Sequence, residues 1–347
     1  MATTPKMQYI RLGTSGLKVS KIILGCMSYG DPNWSGNWVL GEEEAEKHIK
    51  AAYDAGINTF DTANVYSNGL SEEVLGRAIK KHNLPRDEIV VMTKVFFTVS
   101  KDNTSEALWN DSTLDSKGYT NQYGLSRKHI FDSVKHSLRR LGLEFIDVLQ
   151  CHRFDPNTPI AETMQALHDV VKAGYVRYIG MSSCYAWQFQ AMQNYAITNN
   201  LTPFISMQNQ YSLLYREEER EMFPTLKHLG VGAIPWSPLS RGALSRPLAQ
   251  QTKRGETDLL PSNFYLKSDA SKTIVSRVEE IAKKHGISMA QTAVAWILSK
   301  EGVSAPIVGT TSLANLADII GAIEVKLTEE EIKYLEEPYQ PLAIFGH

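Results

Sequence analysis

INTFDTANVYSNGLSEEVLGRAIKKHNLPRDEIVVMTK, residues 57–94, holds two short apolar runs, INTF at 57–60 and IVVM at 89–92, on either side of a stretch with helical spacing. Short runs of this kind fit strands that are covered on both faces, as in a parallel sheet. Between them SEEVLGRAIKKH, residues 71–82, gathers its apolar side chains on one helical face, so the stretch is one strand–helix–strand unit. Each run passes straight into polar residues, where three ionisable side chains stand: Asp61, Tyr66 and Lys94.

The same unit recurs in both directions. IILG at 22–25 precedes EEEAEKHIKAAYDAG, and SRKHIFDSVKHSLRRLG leads into FIDVLQ at 145–150. In TPIAETMQALHDVVKAG, Thr158 is placed to cap, Pro159 suits the first helical position, and Ile160, Met164, Leu167 and Val171 share a face. VRYIG from 176, FISM from 204, VGAIP from 231 and APIV from 305 bring the strands to eight, with helices expected near 187–198 and 217–229. Strand starts mostly fall one strand–helix unit apart, which predicts an α/β fold, a (β/α)8 TIM barrel filling residues 1–347 as a single domain.

Two longer intervals, residues 96–125 and 237–271, follow strand ends and are expected to overhang the active face as long βα loops. Residues 7–12 and 17–20 flank GTSG and predict an N-terminal β-hairpin that covers one barrel end. Later, TIVSRVEEIAKKHG and SMAQTAVAWILSK read as two helices. Thr328 and Glu331 have capping-box spacing, and the stretch from 338 is expected to pack back on the body.

At 43% hydrophobic and 21% charged residues, with a formal net charge of −2, the chain has the composition of an ordinary soluble protein and nothing that draws nucleic acid or an acidic membrane. A small-molecule partner fits better, and the oligomeric state is left open. Cys26, Cys151 and Cys184 form no CxxC pair, which predicts free thiols and a reducing compartment. MATTPKMQYIRLG lacks an apolar signal core and no stretch is long and apolar enough to span a bilayer, so the expected location is cytoplasmic.

In such a barrel the carboxyl ends of the strands face the active site. Singly, Asp61 could cap a turn, Tyr66 could be a half-buried loop aromatic and Lys94 a solvated strand end. Together they are chemically self-consistent: a phenol donates a proton near neutral pH only if a cation stabilises phenolate, and a carboxylate keeps that cation charged. His152, after VLQC, could hydrogen-bond a substrate carbonyl. Of nine histidines only His152 follows a strand, which argues against a metal-dependent hydrolase. Ser182 and Ser183, Gln208 and Asn209, and Trp236, Ser237 and Pro238 end the next three strands. Ser182 and Gln208 could hold a nicotinamide carboxamide while Trp236 stacks on the ring. No GxGxxG or GxxxxGK[ST] follows a strand, so the rest of a dinucleotide would lie on LSRGAL and GTTS, with Leu239, Arg241, Gly242, Gly309, Thr311 and, just beyond, Asn315.

GINTFDTANVYSNGLSEEVLGRA, SLRRLGLEFIDVLQCHR, KAGYVRYIGMSS, MQNQYSLLYREEE and PWSPLSRGALSRP occur in this order. By these motifs, over almost its whole length, the chain resembles the aldo-keto reductase superfamily, and within it the yeast and bacterial aryl-alcohol dehydrogenase-like reductases. The resemblance implies reversible, metal-free reduction of aldehydes or ketones with NADPH, NADH being an alternative. It places the family's tetrad on Asp61, Tyr66, Lys94 and His152, with Tyr66 as proton donor. Two departures stand out: Ser182-Ser183 replaces a common Ser-Asn, and GTTSLANL carries none of the Arg or Lys with which many relatives grip the 2′-phosphate. That grip is expected from the long loop, from Arg254 first, with Arg241, Arg246 and Lys253 as alternatives.

Tyr29, Trp34, Trp38, Phe96, Phe97, Trp109 and Phe154 follow strand ends and would line an apolar pocket for aryl or medium-length aliphatic aldehydes, about half of them touching substrate. The superfamily also contains potassium-channel beta subunits that keep the tetrad, so a cofactor-binding regulatory subunit is the alternative reading.

Overall fold

The computed structural model describes residues 7–34, 37–101, 105, 108, 113–250 and 264–347. The expected hairpin forms from β1 (Tyr9–Arg11) and β2 (Lys18–Ser20). Eight parallel strands follow: β3 (Ile23–Gly25), β4 (Thr59–Asp61), β5 (Val90–Val95), β6 (Ile146–Cys151), β7 (Val176–Ser182), β8 (Phe204–Gln208), β9 (Gly232–Ala233) and β10 (Ile307–Val308). Each pairs with the next, and β10 returns to β3. Beside β9 the Ser304 N–H donates to the Ala233 carbonyl and the Ile307 N–H to the Pro235 carbonyl, both at 2.8 Å, which closes the (β/α)8 barrel.

Around it lie α1 (Glu42–Asp54), α2 (Leu70–Lys81), α3 (Arg127–Leu141), α4 (Ile160–Lys172), α5 (Ala186–Thr198), α6 (Met222–Leu229), α7 (Asp269–His285), α8 (Met289–Ser299), α9 (Leu313–Ile320) and α10 (Glu329–Glu336). Serines or a threonine cap five of them: Ser126, Ser268, Ser288, Ser312 and Thr328 each accept a first-turn backbone N–H, and Thr328 forms the expected capping box with Glu331.

The barrel interior is sorted by depth. At the amino ends of the strands Ile23, Val90, Met92, Val148, Ile234 and Ile307 form an apolar cluster with Leu12 and Val19 of the hairpin, so the hairpin plugs that end. One step higher, at the level where Lys94 pairs with Gln150 and Gln150 with Gly180, the inward side chains become polar. Alternation within β5 alone, Val90, Met92, Lys94, carries the chain from apolar plug to charged mouth.

Close packing also limits the outer layer. A Cβ on Gly76 of α2 would stand 2.2 Å from the Leu141 carbonyl oxygen and 2.6 Å from its carbon, both backbone atoms of α3. In an open helix Ala is favoured over Gly by about 1 kcal/mol. Here Gly76→Ala must push two helices apart, and we expect a net loss of about 1–3 kcal/mol. Urea unfolding would register it as a lower midpoint at unchanged slope.

Four local expectations are corrected. Thr158 does not cap α4: its hydroxyl donates to Asp155 Oδ2 at 2.7 Å, Asp155 already organising this loop by accepting the Leu125 and Asn157 N–H groups, and Pro159 becomes the N-cap. The third barrel strand runs on to Val95, so Lys94 lies inside it. The helix expected over 217–229 divides into a 3-10 turn, Glu217–Glu219, and α6; Pro224 has no N–H and fits only a first helical turn, which places the start near Met222. α9 has no counterpart among the expected helices. The stretch from 338 does pack back: Tyr339 Oη donates to Glu217 at 2.7 Å, the Leu342 N–H to Glu217 at 2.8 Å and the Phe345 N–H to Tyr215 Oη at 3.0 Å.

Candidate active site

Lys94 is at the centre of the mouth. Its ammonium, with a fully buried side chain, donates to Asp61 Oδ2 at 2.5 Å, to the Thr62 carbonyl at 2.8 Å and to Tyr66 Oη at 3.3 Å. Burial works against that charge, yet Asp61 and Tyr66 together hold it above the ordinary lysine range. Burial raises the Tyr66 phenol, and the Lys94 charge pulls against the rise.

Asp61 has further support that the sequence did not single out. Gln150 Nε2 and Gln208 Nε2 both donate to Asp61 Oδ1 at 2.9 Å, and Gln208 Nε2 also reaches Gln150 Oε1 at 2.8 Å. Gly180 makes this possible, since a Cβ there would stand 3.2 Å from Gln150 Cγ and 2.4 Å from Ser206 Oγ. The signal was available: a glutamine inside an otherwise apolar strand run, VLQC, is a buried polar group that needs a partner.

Tyr66 is aimed by unusual backbone. Ser67, Asn68 and Gly69 follow it with φ of 47°, 51° and 94°, a left-handed turn that swings the chain back into α2. Ser67 Oγ accepts the Asp31 N–H and Asn68 Oδ1 the Ser100 N–H, fixing both strained residues. Beneath them Glu72, fully buried, accepts from Thr93 Oγ1 of β5 and from Arg140 Nε of α3, each at 2.6 Å. Glu72→Ala should cost about 3–5 kcal/mol, because it leaves Arg140 as a mostly buried, unpaired charge. Thermal denaturation would show it, and an unchanged melting point would exclude this role.

His152 packs edge-on to Tyr66 and to Phe97, with ring centroids 5.8 and 5.0 Å away. Its Nδ1 is buried with no hydrogen-bond partner. Burial, then the Arg153 and Lys94 charges, hold it well below the ordinary histidine range, so the ring is neutral at neutral pH.

The residues expected at a nicotinamide gather on one wall. Ser182 Oγ donates to the Gln208 carbonyl at 2.7 Å, the Ser183 N–H to Asn209 Oδ1 at 2.8 Å, and Trp236 Nε1 to Ser183 Oγ at 3.1 Å. Trp236 is partly exposed, and Gly346 of the returning chain lies against its edge. Positive φ at Ser183, Ser237, Ser240, Arg241 and Gly242 kinks this wall repeatedly. Leu239 is partly buried there, Gly309 faces Gly25 and Ser28 across β3, and Thr311 and Asn315 are exposed where Ser312 caps α9. Arg254 and Lys253 lie outside the described residues, and so does Trp109.

The aromatic set separates. Tyr29 is fully buried, its hydroxyl 3.4 Å from His48 Nδ1 of α1, and Phe96 packs on Phe97 and Tyr123. Trp38 is buried, and Phe154 turns to the exposed Trp187, 6.1 Å between centroids. Among the described members, Phe97 packs on His152, and Trp34, itself fully buried, lies 6.3 Å from the Tyr66 ring centroid. All three cysteines are free and buried, and burial lifts each thiol above its usual range. We expect no reaction of the native protein with a thiol reagent at neutral pH and release of all three thiols on unfolding. Among the described residues no cluster of three His, Cys, Asp or Glu side chains is placed to hold a metal, and no helix is long and apolar enough to cross a membrane.

Residues 21–340 match the family model described as aldo/keto reductase family. The chain is 51% identical, over 97% of its length and 98% of the other, to versiconal hemiacetal acetate reductase of Aspergillus parasiticus. It is 53% identical, over 96% of each chain, to a Schizosaccharomyces pombe protein named as a putative aryl-alcohol dehydrogenase. An aldo-keto reductase of Fusarium vanettenii is 47% identical over 99% of this chain and 94% of its own.

Proposed function

The chain belongs to the aldo/keto reductase family, and from that premise we propose that it reduces aldehydes and ketones to alcohols, reversibly, with NADPH and with Tyr66 as the proton donor. The observation that carries this reading is the buried Lys94 ammonium bridging Asp61 and the Tyr66 hydroxyl at the barrel mouth.

NADPH, when bound, supplies hydride from C4 of its nicotinamide. Its carboxamide has a matching acceptor, because the Gln208 side-chain oxygen accepts no bond within the described protein while the Gln208 amide nitrogen is committed to Asp61 and Gln150. Ser182, whose hydroxyl holds the Gln208 backbone carbonyl, and Ser183 would assist, and Trp236 offers the flat face. Leu239, Arg241, Gly242, Gly309, Thr311 and Asn315 would hold the remainder, with the 2′-phosphate on Arg254 or, failing that, Arg246.

Tyr66 gives its proton to the carbonyl oxygen as negative charge develops there. Lys94 stabilises the resulting phenolate, Asp61 keeps Lys94 charged and in place, and neutral His152 orients the carbonyl through a hydrogen bond. Phe97 supplies an apolar face suited to aryl or medium aliphatic aldehydes, in a cytoplasmic setting.

The test is a fluorescence titration with NADPH and then NADH, followed by addition of an aromatic aldehyde to each complex. Cofactor oxidation on mixing is the expected result. Tight cofactor binding without turnover across a broad aldehyde panel would favour a regulatory subunit instead, and absence of binding to either cofactor would overturn the reading.

A further inference from the structure

Arg153 follows His152 at the end of β6 and has one hydrogen bond, from Nη1 to the His152 carbonyl at 2.6 Å. That bond folds the guanidinium back toward the mouth, 5.6 Å from the Phe97 ring centroid, where its charge acts on Tyr66 and His152. No carboxylate among the described residues pairs with it. Asp155, two residues on, is committed to the Leu125 and Asn157 N–H groups and the Thr158 hydroxyl.

Other arginines set into the barrel wall are neutralised: Arg86 by Asp147 at 2.7 Å, Arg140 by Glu72 at 2.6 Å, and Arg216 by Glu219 and Glu336 at 2.7 and 3.0 Å. Arg153 is desolvated enough that burial draws its pKa down to about 10, so it is still a cation at neutral pH. The side chain is only partly buried, and its Nε and Nη2 make no hydrogen bond within the described protein. A desolvated guanidinium with an open fork beside a proton donor is costly to keep, and its planar donors match a carboxylate.

We infer that Arg153 is the specificity-determining residue of this site and that the preferred substrates are oxo acids, carbonyl compounds with a carboxylate within a few bonds of the reacting carbon. The inference rests on the reductase reading and narrows its substrate class. The carboxylate completes the guanidinium's hydrogen bonding and fixes the carbonyl between Tyr66 and His152. The Phe97 ring receives the apolar remainder.

A matched pair tests this: phenylglyoxylate and its methyl ester, the same ketone with and without the charge, compared on wild type, Arg153→Met and Arg153→Lys. For wild type we expect kcat/KM to favour the acid by about 10- to 100-fold, for Arg153→Met to abolish the preference, and for Arg153→Lys to restore part of it. Equilibrium binding of phenylglyoxylate, followed by tryptophan fluorescence, should weaken by a similar factor in Arg153→Met. This readout does not depend on turnover. Equal use of acid and ester by wild type, or a preference that survives in Arg153→Met, would overturn the inference. So would equal slowing of both substrates in Arg153→Met, which would mean that Arg153 only tunes Tyr66. Loss of turnover on every carbonyl compound with carboxylate binding intact would instead strike at the reductase reading.

Discussion

Tyr66→Phe should lower kcat for carbonyl reduction by about 10²- to 10⁴-fold while leaving cofactor affinity unchanged. The substitution removes one oxygen and keeps the ring that packs on Trp34 and His152. Lys94 retains its bonds to Asp61 and the Thr62 carbonyl, so the fold loses only the 3.3 Å contact. Stopped-flow oxidation of bound cofactor reads the chemical step directly, and turnover near the wild-type rate would remove Tyr66 from the role of donor. The pH dependence follows from the direction of the phenol's shift. Reduction needs the protonated form, and burial raises its pKa, so the rate should hold through the neutral range and fall only above about pH 10, the ordinary tyrosine value.

Lys94→Met should be as severe for catalysis and far worse for stability. It removes the charge that draws the phenol's pKa back toward its usual value, so the alkaline limb should move further up while the rate falls. It also strands Asp61, left with only the Gln150 and Gln208 amides, and removing one partner of a buried pair costs about 3–5 kcal/mol. The two effects separate in the double variant Lys94→Met with Asp61→Asn. Thermal stability should recover in large part because no uncompensated charge remains, and activity should not. Recovery of activity would mean that Lys94 serves the fold alone.

The barrel was legible because parallel strands buried on both faces leave short continuous apolar runs, and INTF, IVVM and FIDVLQ are such runs. The mouth was legible in part. Asp61, Tyr66, Lys94 and His152 stand out since charge or imidazole at the end of an apolar run is hard to explain otherwise. Gln150 in VLQC signals a buried polar group in need of a partner, but which partner stayed hidden because its task depends on Gly180 leaving space one strand away. Arg153 was hidden for a different reason. Next to an aspartate two residues on, it reads as half of an ordinary surface pair, and only the three-dimensional arrangement shows that Asp155 is committed elsewhere. The aromatics were least legible, as spacing places Tyr29 and Trp34 in the same stretch but does not say which of the two buried rings stands beside Tyr66.

The seam where the barrel closes bears on how the chain folds. From β3 to β9 every strand pairs with its successor, so pairing can proceed as the chain lengthens. Closure alone joins β10 to β3, from nearly opposite ends of the polypeptide, and it does so with strands two or three residues long. Such a contact carries the largest loop-closure entropy and forms late. A ribosome-bound chain that has not yet reached Ile307 therefore presents the free edges of β3 and β9, which are open to mispairing at that stage. In the finished protein the same seam should be the first to exchange its amide hydrogens.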